Sequence, residues 1–282
     1  MKLLPNLETL AHDYDAVFCD VWGVLHNGIA AFPDAVAALK KIRKHGIAVI
    51  LVTNAPRPHP SVIEQITRLG IGRDVYDRVV TSGDVTRELI KASPKEIYHL
   101  GTVQQLVIYG GIDVDLVDEE RASVVVCTGL VNDSNETPAD YDDLLQTFRK
   151  RNLPMICANP DIQIHRGNKL EWCAGALAQA YEQVGGRTFI AGKPYRPIYE
   201  AAQYEAEAVL GRELEKSRIL GIGDGMFTDI KGAADYGLDV LFISDGVHAA
   251  EYTRAGETEV NRMETFIRCL DQNPIAYMHK LA

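Results

Sequence analysis

The sequence predicts an α/β fold built on a Rossmann-like parallel sheet, with a second α/β segment inserted. Three observations carry that expectation. Short apolar runs alternate with segments of helical periodicity in the first and last thirds of the chain. One run, 47–52, is six consecutive apolar residues, as expected of a strand covered on both faces. Several runs end on a polar residue, where open parallel sheets bind ligands.

Taken in order, 16–19 reads as a strand that delivers Asp20 to its tip. Residues 33–45 carry Val36, Leu39, Lys40 and Ile42 at helical spacing, and Gly46 closes the helix. The strand 47–52 ends at Thr53-Asn54, and 56–69 reads as a helix stopped by Gly70. A strand at 78–81 and a helix at 84–91 follow. This repeated βα winding implies right-handed crossovers.

The middle differs in texture. It reads as a strand at 96–100, a helix opening at Gly101-Thr102, a strand at 123–127, and a polar loop at 132–137. A helix at 140–150, a strand at 155–158 ending at Asn159-Pro160-Asp161, and a helix at 171–184 complete it. The last third returns to βα winding. Strands at 188–191, 218–221 and 240–243 enclose helices at 197–210 and 229–236. The simplest organisation is a discontinuous core of 1–91 and 188–282 with an inserted α/β domain at 92–187.

Bulk properties narrow the function. The 282 residues are 46% hydrophobic and 24% charged, an ordinary globular balance. A formal net charge of −10 disfavours nucleic acid, whose phosphates need a basic surface. No apolar run reaches membrane-spanning or signal length. The five cysteines show no CxxC spacing and read as reduced thiols. A cytoplasmic protein with no membrane partner is expected.

Four strand tips supply the chemistry: Asp20, Thr53-Asn54, Lys193, and Asp224 with Asp229. Together they offer a nucleophile, hydroxyl and amide donors, a cation and further carboxylates. That set suits phosphoryl transfer with a divalent metal. Carboxylates hold Mg²⁺ through oxygen, a metal and a lysine stabilise charge on the transferring group, and an aspartate can form an acyl-phosphate. Each residue alone also reads as an ordinary cap, turn or surface group. Their shared order and placement are what single them out.

Asp20-Val21-Trp22-Gly23-Val24, Thr53-Asn54, Gly192-Lys193-Pro194 and Gly223-Asp224-Gly225-Met226-Phe227-Thr228-Asp229 stand in the order of the four motifs of the haloacid dehalogenase superfamily, which this chain resembles over nearly its whole length. The insert resembles the cap of the class IIA branch, which includes nitrophenylphosphatase-like and sugar-phosphate phosphatases. The resemblance implies Asp20 as nucleophile and Thr53, Asn54 and Lys193 on the phosphoryl group. It implies Mg²⁺ held by Asp20, Asp224, Asp229 and the Trp22 carbonyl. It further implies a small phosphorylated metabolite as substrate and pairing of two copies through the cap.

One residue departs from the pattern. Phosphatases of this family usually carry a second Asp two residues after the nucleophile, which protonates the leaving group and later activates water. Here it is Trp22, whose indole does neither at neutral pH. Two functions stay open: a phosphatase slowed by that change, and a weakened metabolite-binding or regulatory protein. Trp22 itself reads either as a packed aromatic or as a wall for substrate. His26, in a turn after the nucleophile, and Arg57, after Thr53-Asn54, are further candidates. So are Asp161, His165 and Arg166 in the insert.

Overall fold

Cys19, last residue of the Ala16–Cys19 strand, is level with Leu51 on one side and with Ile222 on the other. The computed structural model that shows this describes residues 1–132, 135–166, 169–254 and 257–282. Among them, seven strands form one sheet in the order Lys2–Leu3, Ala276–Met278, Asp239–Ile243, Ile219–Gly223, Ala16–Cys19, Ala48–Thr53, Arg78–Thr81. The ladders from the first through the sixth of these strands are all parallel. Val17, Cys19, Val49, Ile50 and Leu51 have no exposed surface. Burying each such aliphatic side chain contributes about 1.5–3 kcal/mol, which fixes the register of the central strands.

The chain divides into two compact units. The first, Met1–Thr53, Ile63–Val80 and Tyr199–Ala282, contains this sheet. Its helix Pro33–Lys44 has proline at its first turn, buries Ala35, Ala38, Leu39 and Ile42, and gathers Lys41, Arg43 and Lys44 in its last turn. Both placements suit a helix, since proline there loses no bond and cations favour the C-terminal end.

The second unit comprises Asn54–Val62 and Thr81–Ile198. Its own sheet runs Arg187–Ile190, Pro154–Cys157, Val124–Cys127, Glu96–Leu100, Asp115–Leu116, parallel throughout. Alternation along its middle strand feeds two cores. Val125 and Cys127 pack with Leu145, Phe148 and Leu177, whereas Val124 and Val126 pack with Ile97 and Ile108. The helix Ser82–Lys91 opens on a reciprocal cap: Thr81 Oγ1 accepts the Asp84 amide and the Asp84 carboxylate accepts the Thr81 amide. All five cysteines are free and only Cys269 is exposed. Burial pushes the Cys157 thiol up to about 12. Among the described residues no helix is long and apolar enough to cross a membrane.

Several expected bounds shift, the helix expected over 56–69 being His59–Arg68 and that opening at Gly101-Thr102 a 3-10 helix, Val103–Tyr109; two further differences have a visible cause. The helix expected over 171–184 is Ala174–Gln183, and its anticipated first turn is instead the strand Lys169–Trp172, antiparallel to Gln163–Arg166. An ion pair across that hairpin, Arg166 Nε to Glu171 Oε2 at 2.8 Å, and the ladder itself outweigh local helical spacing. The helix expected over 229–236 is Lys231–Tyr236, preceded by a π-turn, Met226–Ile230, for a reason that lies in the site.

Candidate active site

Because Cys19 is level with Ile222, Asp20 emerges beside Gly223, the last residue of its strand, and Asp224 follows one step later. The Asp20 amide still donates to the Ile222 carbonyl at 2.9 Å. Asp229 arrives through the π-turn. The Ile230 amide reaches back to the Gly225 carbonyl at 3.0 Å, and Asp229 Oδ2 accepts the Gly225 amide at 3.1 Å. Asp20, Asp224 and Asp229 thereby bring carboxylate oxygens within 4.8 Å of one another, all three side chains buried. Three buried carboxylates this close are costly unless a cation or protons offset their charge. Their donor set, oxygen only, fits a hard divalent ion such as Mg²⁺. Val247 steadies the group by donating its amide to Asp224 Oδ2 at 2.8 Å.

Trp22 and His26 lie in the turn after Asp20. Their rings meet edge to face at 5.1 Å. The Trp22 indole also covers Gly28, where any Cβ would fall 2.5 Å from the ring, so only glycine lets the turn come this close. His26 is 1% exposed, its Nδ1 accepts the Gly28 amide at 2.9 Å, and burial lowers its pKa to about 4. It is a neutral, buried turn residue. Thr53 ends the Ala48–Thr53 strand and is buried.

In the second unit the structure brings together Asn54, Lys193 and Asp161. Asn54 Oδ1 accepts the Lys193 amide at 2.7 Å, and Asn54 Nδ2 donates to the Lys193 carbonyl at 3.1 Å and to Asp161 Oδ1 at 2.8 Å. Asn54 and Lys193 are both buried. The Arg57 carbonyl accepts the Thr81 hydroxyl at 2.7 Å, which ties its backbone to the start of the Ser82–Lys91 helix. His165 lies in the Gln163–Arg166 strand opposite Leu170, and its side chain falls outside the described residues.

The segment Gly246-Val247-His248 lies outside all four motifs. Its signal was available. It follows the Asp239–Ile243 strand, which lies beside Ile219–Gly223 in parallel, so its residues emerge at the same sheet edge as Asp224.

Known proteins agree with this frame. A family model described as haloacid dehalogenase-like hydrolase matches residues 17–109, and one described as HAD-hydrolase-like matches residues 190–264. The crystal structure of a haloacid dehalogenase-like family hydrolase from Brucella suis 1330 is 57% identical. It covers 99% of this chain and 100% of that one, with a TM-score of 0.91. Ribonucleotide monophosphatase NagD of Escherichia coli K12 is 26% identical over 242 residues, 83% of this chain and 89% of that protein. An acid sugar phosphatase of Staphylococcus epidermidis is 25% identical over 250 residues, 86% of this chain and 92% of that protein. The chain belongs to the haloacid dehalogenase-like hydrolases.

Proposed function

We infer that this chain hydrolyses monoesters of phosphate with small metabolites through an aspartyl-phosphate on Asp20. The observation that carries the reading is the buried gathering of Asp20, Asp224 and Asp229. The names of the Escherichia coli and Staphylococcus epidermidis relatives, a ribonucleotide monophosphatase and an acid sugar phosphatase, support a small phosphate ester as substrate.

An Asp20 carboxylate oxygen attacks phosphorus, and the bond from phosphorus to the ester oxygen breaks. The leaving group departs as an alkoxide or phenoxide and takes its proton from solvent. Water then attacks the phosphorus of the acyl-phosphate, releasing inorganic phosphate and restoring the Asp20 carboxylate. Asp20, Asp224, Asp229 and the Trp22 carbonyl would hold Mg²⁺, which neutralises charge on the phosphoryl oxygens when bound. Asn54, Thr53 and Lys193 are assigned to the phosphoryl group on their motifs. The Asn54–Lys193 hydrogen bonds supply the local support for two of them.

Trp22 favours a second reading, in which metal and phosphate bind but turnover is weak. A screen of p-nitrophenyl phosphate, sugar phosphates and nucleoside monophosphates, with and without Mg²⁺, separates the two. Metal-dependent turnover lost in Asp20→Asn is the expected result. Turnover undiminished in Asp20→Asn overturns the first reading. Saturable phosphate binding without turnover favours the second.

A further inference from the structure

Three consecutive residues that no motif contains pack on the loop carrying Asp224 and Asp229. Gly246 lies against the Asp224 carboxylate so closely that any Cβ would occupy its place. Val247 then donates its amide to Asp224 Oδ2. The next residue, His248, turns its ring to the other side of the same loop. Its Nε2 accepts the Met226 amide at 3.1 Å.

Met226 opens the π-turn, and its amide would otherwise be one of the unsatisfied donors that begin any helical segment. The amide immediately before it, Gly225 N–H, is the one that holds Asp229 Oδ2. Consecutive amides are thus committed to two acceptors, Asp229 and His248, which between them hold the two peptide planes that flank Gly225. The ring is held in place for this. It meets Phe227 edge to face at 5.7 Å and Phe266 at 5.4 Å. Accepting a backbone N–H requires Nε2 to be the unprotonated nitrogen, which puts the proton of the neutral ring on Nδ1. Burial favours that neutral form by lowering the His248 pKa, against smaller opposing effects of Glu251 and Asp229.

We propose that His248 is a positioning residue for the carboxylate cluster, which orients Asp229 toward Asp20 and Asp224 by accepting the Met226 amide. The proposal rests on the reading of that cluster as a metal site. It differs from that reading in what it assigns: the shape of the 225–229 turn depends on an acceptor supplied by the side chain of His248.

The test uses the full chain and three variants. His248→Phe keeps a ring between Phe227 and Phe266 but removes the acceptor. His248→Gln restores an acceptor at about the reach of Nε2. Asp224→Asn reports on the metal site itself. Two quantities are read: the Mg²⁺ dissociation constant by calorimetry, and hydrogen exchange at the Met226 amide in metal-free protein.

Groups that orient metal ligands typically change affinity about 10–100-fold when lost. His248→Phe is therefore expected to weaken Mg²⁺ binding by about tenfold and to speed exchange at Met226. His248→Gln should recover most of both. A merely structural ring would be replaced by Phe better than by Gln, the opposite order. Wild-type affinity and unchanged Met226 exchange in His248→Phe overturn the proposal. If wild type and Asp224→Asn take up Mg²⁺ alike, the metal reading fails, and exchange at Met226 still decides whether His248 holds the turn.

Discussion

Asn54 and Lys193, 139 positions apart, are joined twice: the Lys193 amide donates to Asn54 Oδ1 at 2.7 Å and Asn54 Nδ2 donates to the Lys193 carbonyl at 3.1 Å. One side-chain amide thus satisfies both backbone polar groups of Lys193, a residue 3% exposed. It fixes the backbone from which the Lys193 side chain projects.

Truncating Asn54 removes both bonds together with its bond to Asp161, and leaving buried backbone groups without partners costs about 1–3 kcal/mol. Asn54→Ala should lower unfolding stability by that amount, measured by urea titration. Lys193→Ala keeps its backbone groups and should cost less. Equal losses in the two variants would show that the bonds to the Lys193 backbone contribute no more than the Lys193 side chain does.

How much of this was legible beforehand follows from the kind of signal each part carries. Asp20 and Asp224 stood out because apolar strands end on them, and strand periodicity is a local property. The pairing of Asn54 with Lys193 has no local signature, since nothing near either residue encodes a partner 139 positions away. Local helical spacing alone places Glu171 in a helix. Its position depends instead on Arg166 and a ladder to Ile164. The strands Lys2–Leu3 and Ala276–Met278 are too short for periodicity to register. The place of His248 after the Asp239–Ile243 strand is legible, but its bond is not, because it goes to the Met226 amide in a π-turn that no apolar pattern encodes.

His26 makes folding stability depend on pH. Burial lowers its pKa from 6.5 to about 4, so between those values the unfolded chain binds a proton that the folded chain does not. Its contribution is complete above about pH 6.5 and is lost as pH falls toward 4. Linkage puts the loss at about 2 kcal/mol by about pH 5. His26→Asn carries no titrating ring and offers an oxygen near the place of Nδ1. Urea unfolding of both proteins at neutral pH and near pH 5 should show a shallower fall in the variant. Parallel falls would place the acid sensitivity elsewhere.

Trp22 stands where a phosphatase of this family usually has its second Asp, and the structure shows what holds it there. Its ring packs against His26 at 5.1 Å and covers Gly28, so the indole is part of the turn that follows Asp20. On the proposed mechanism, formation of the acyl-phosphate needs only Asp20, a bound metal and a leaving group that departs without a proton. Its breakdown needs an activated water, which an indole cannot supply. Wild type is therefore expected to show a burst on p-nitrophenyl phosphate followed by slow dephosphorylation. General acid–base assistance is typically worth about 10²–10⁴-fold, so Trp22→Asp should accelerate the slow step by some part of that range. The same change uncovers Gly28 and empties the ring's place, at a cost of about 1–3 kcal/mol for a half-buried aromatic. Trp22→Asn separates the two effects, because it empties the same space and supplies no acid. Stopped-flow kinetics on the three proteins, with circular dichroism to confirm folding, gives the answer. Acceleration in Trp22→Asp alone assigns it to proton transfer. Acceleration shared by Trp22→Asn assigns it to the opened space. Fast turnover of metabolite phosphomonoesters by wild type with no burst means that another group performs the proton transfer and that Trp22 does not limit the enzyme.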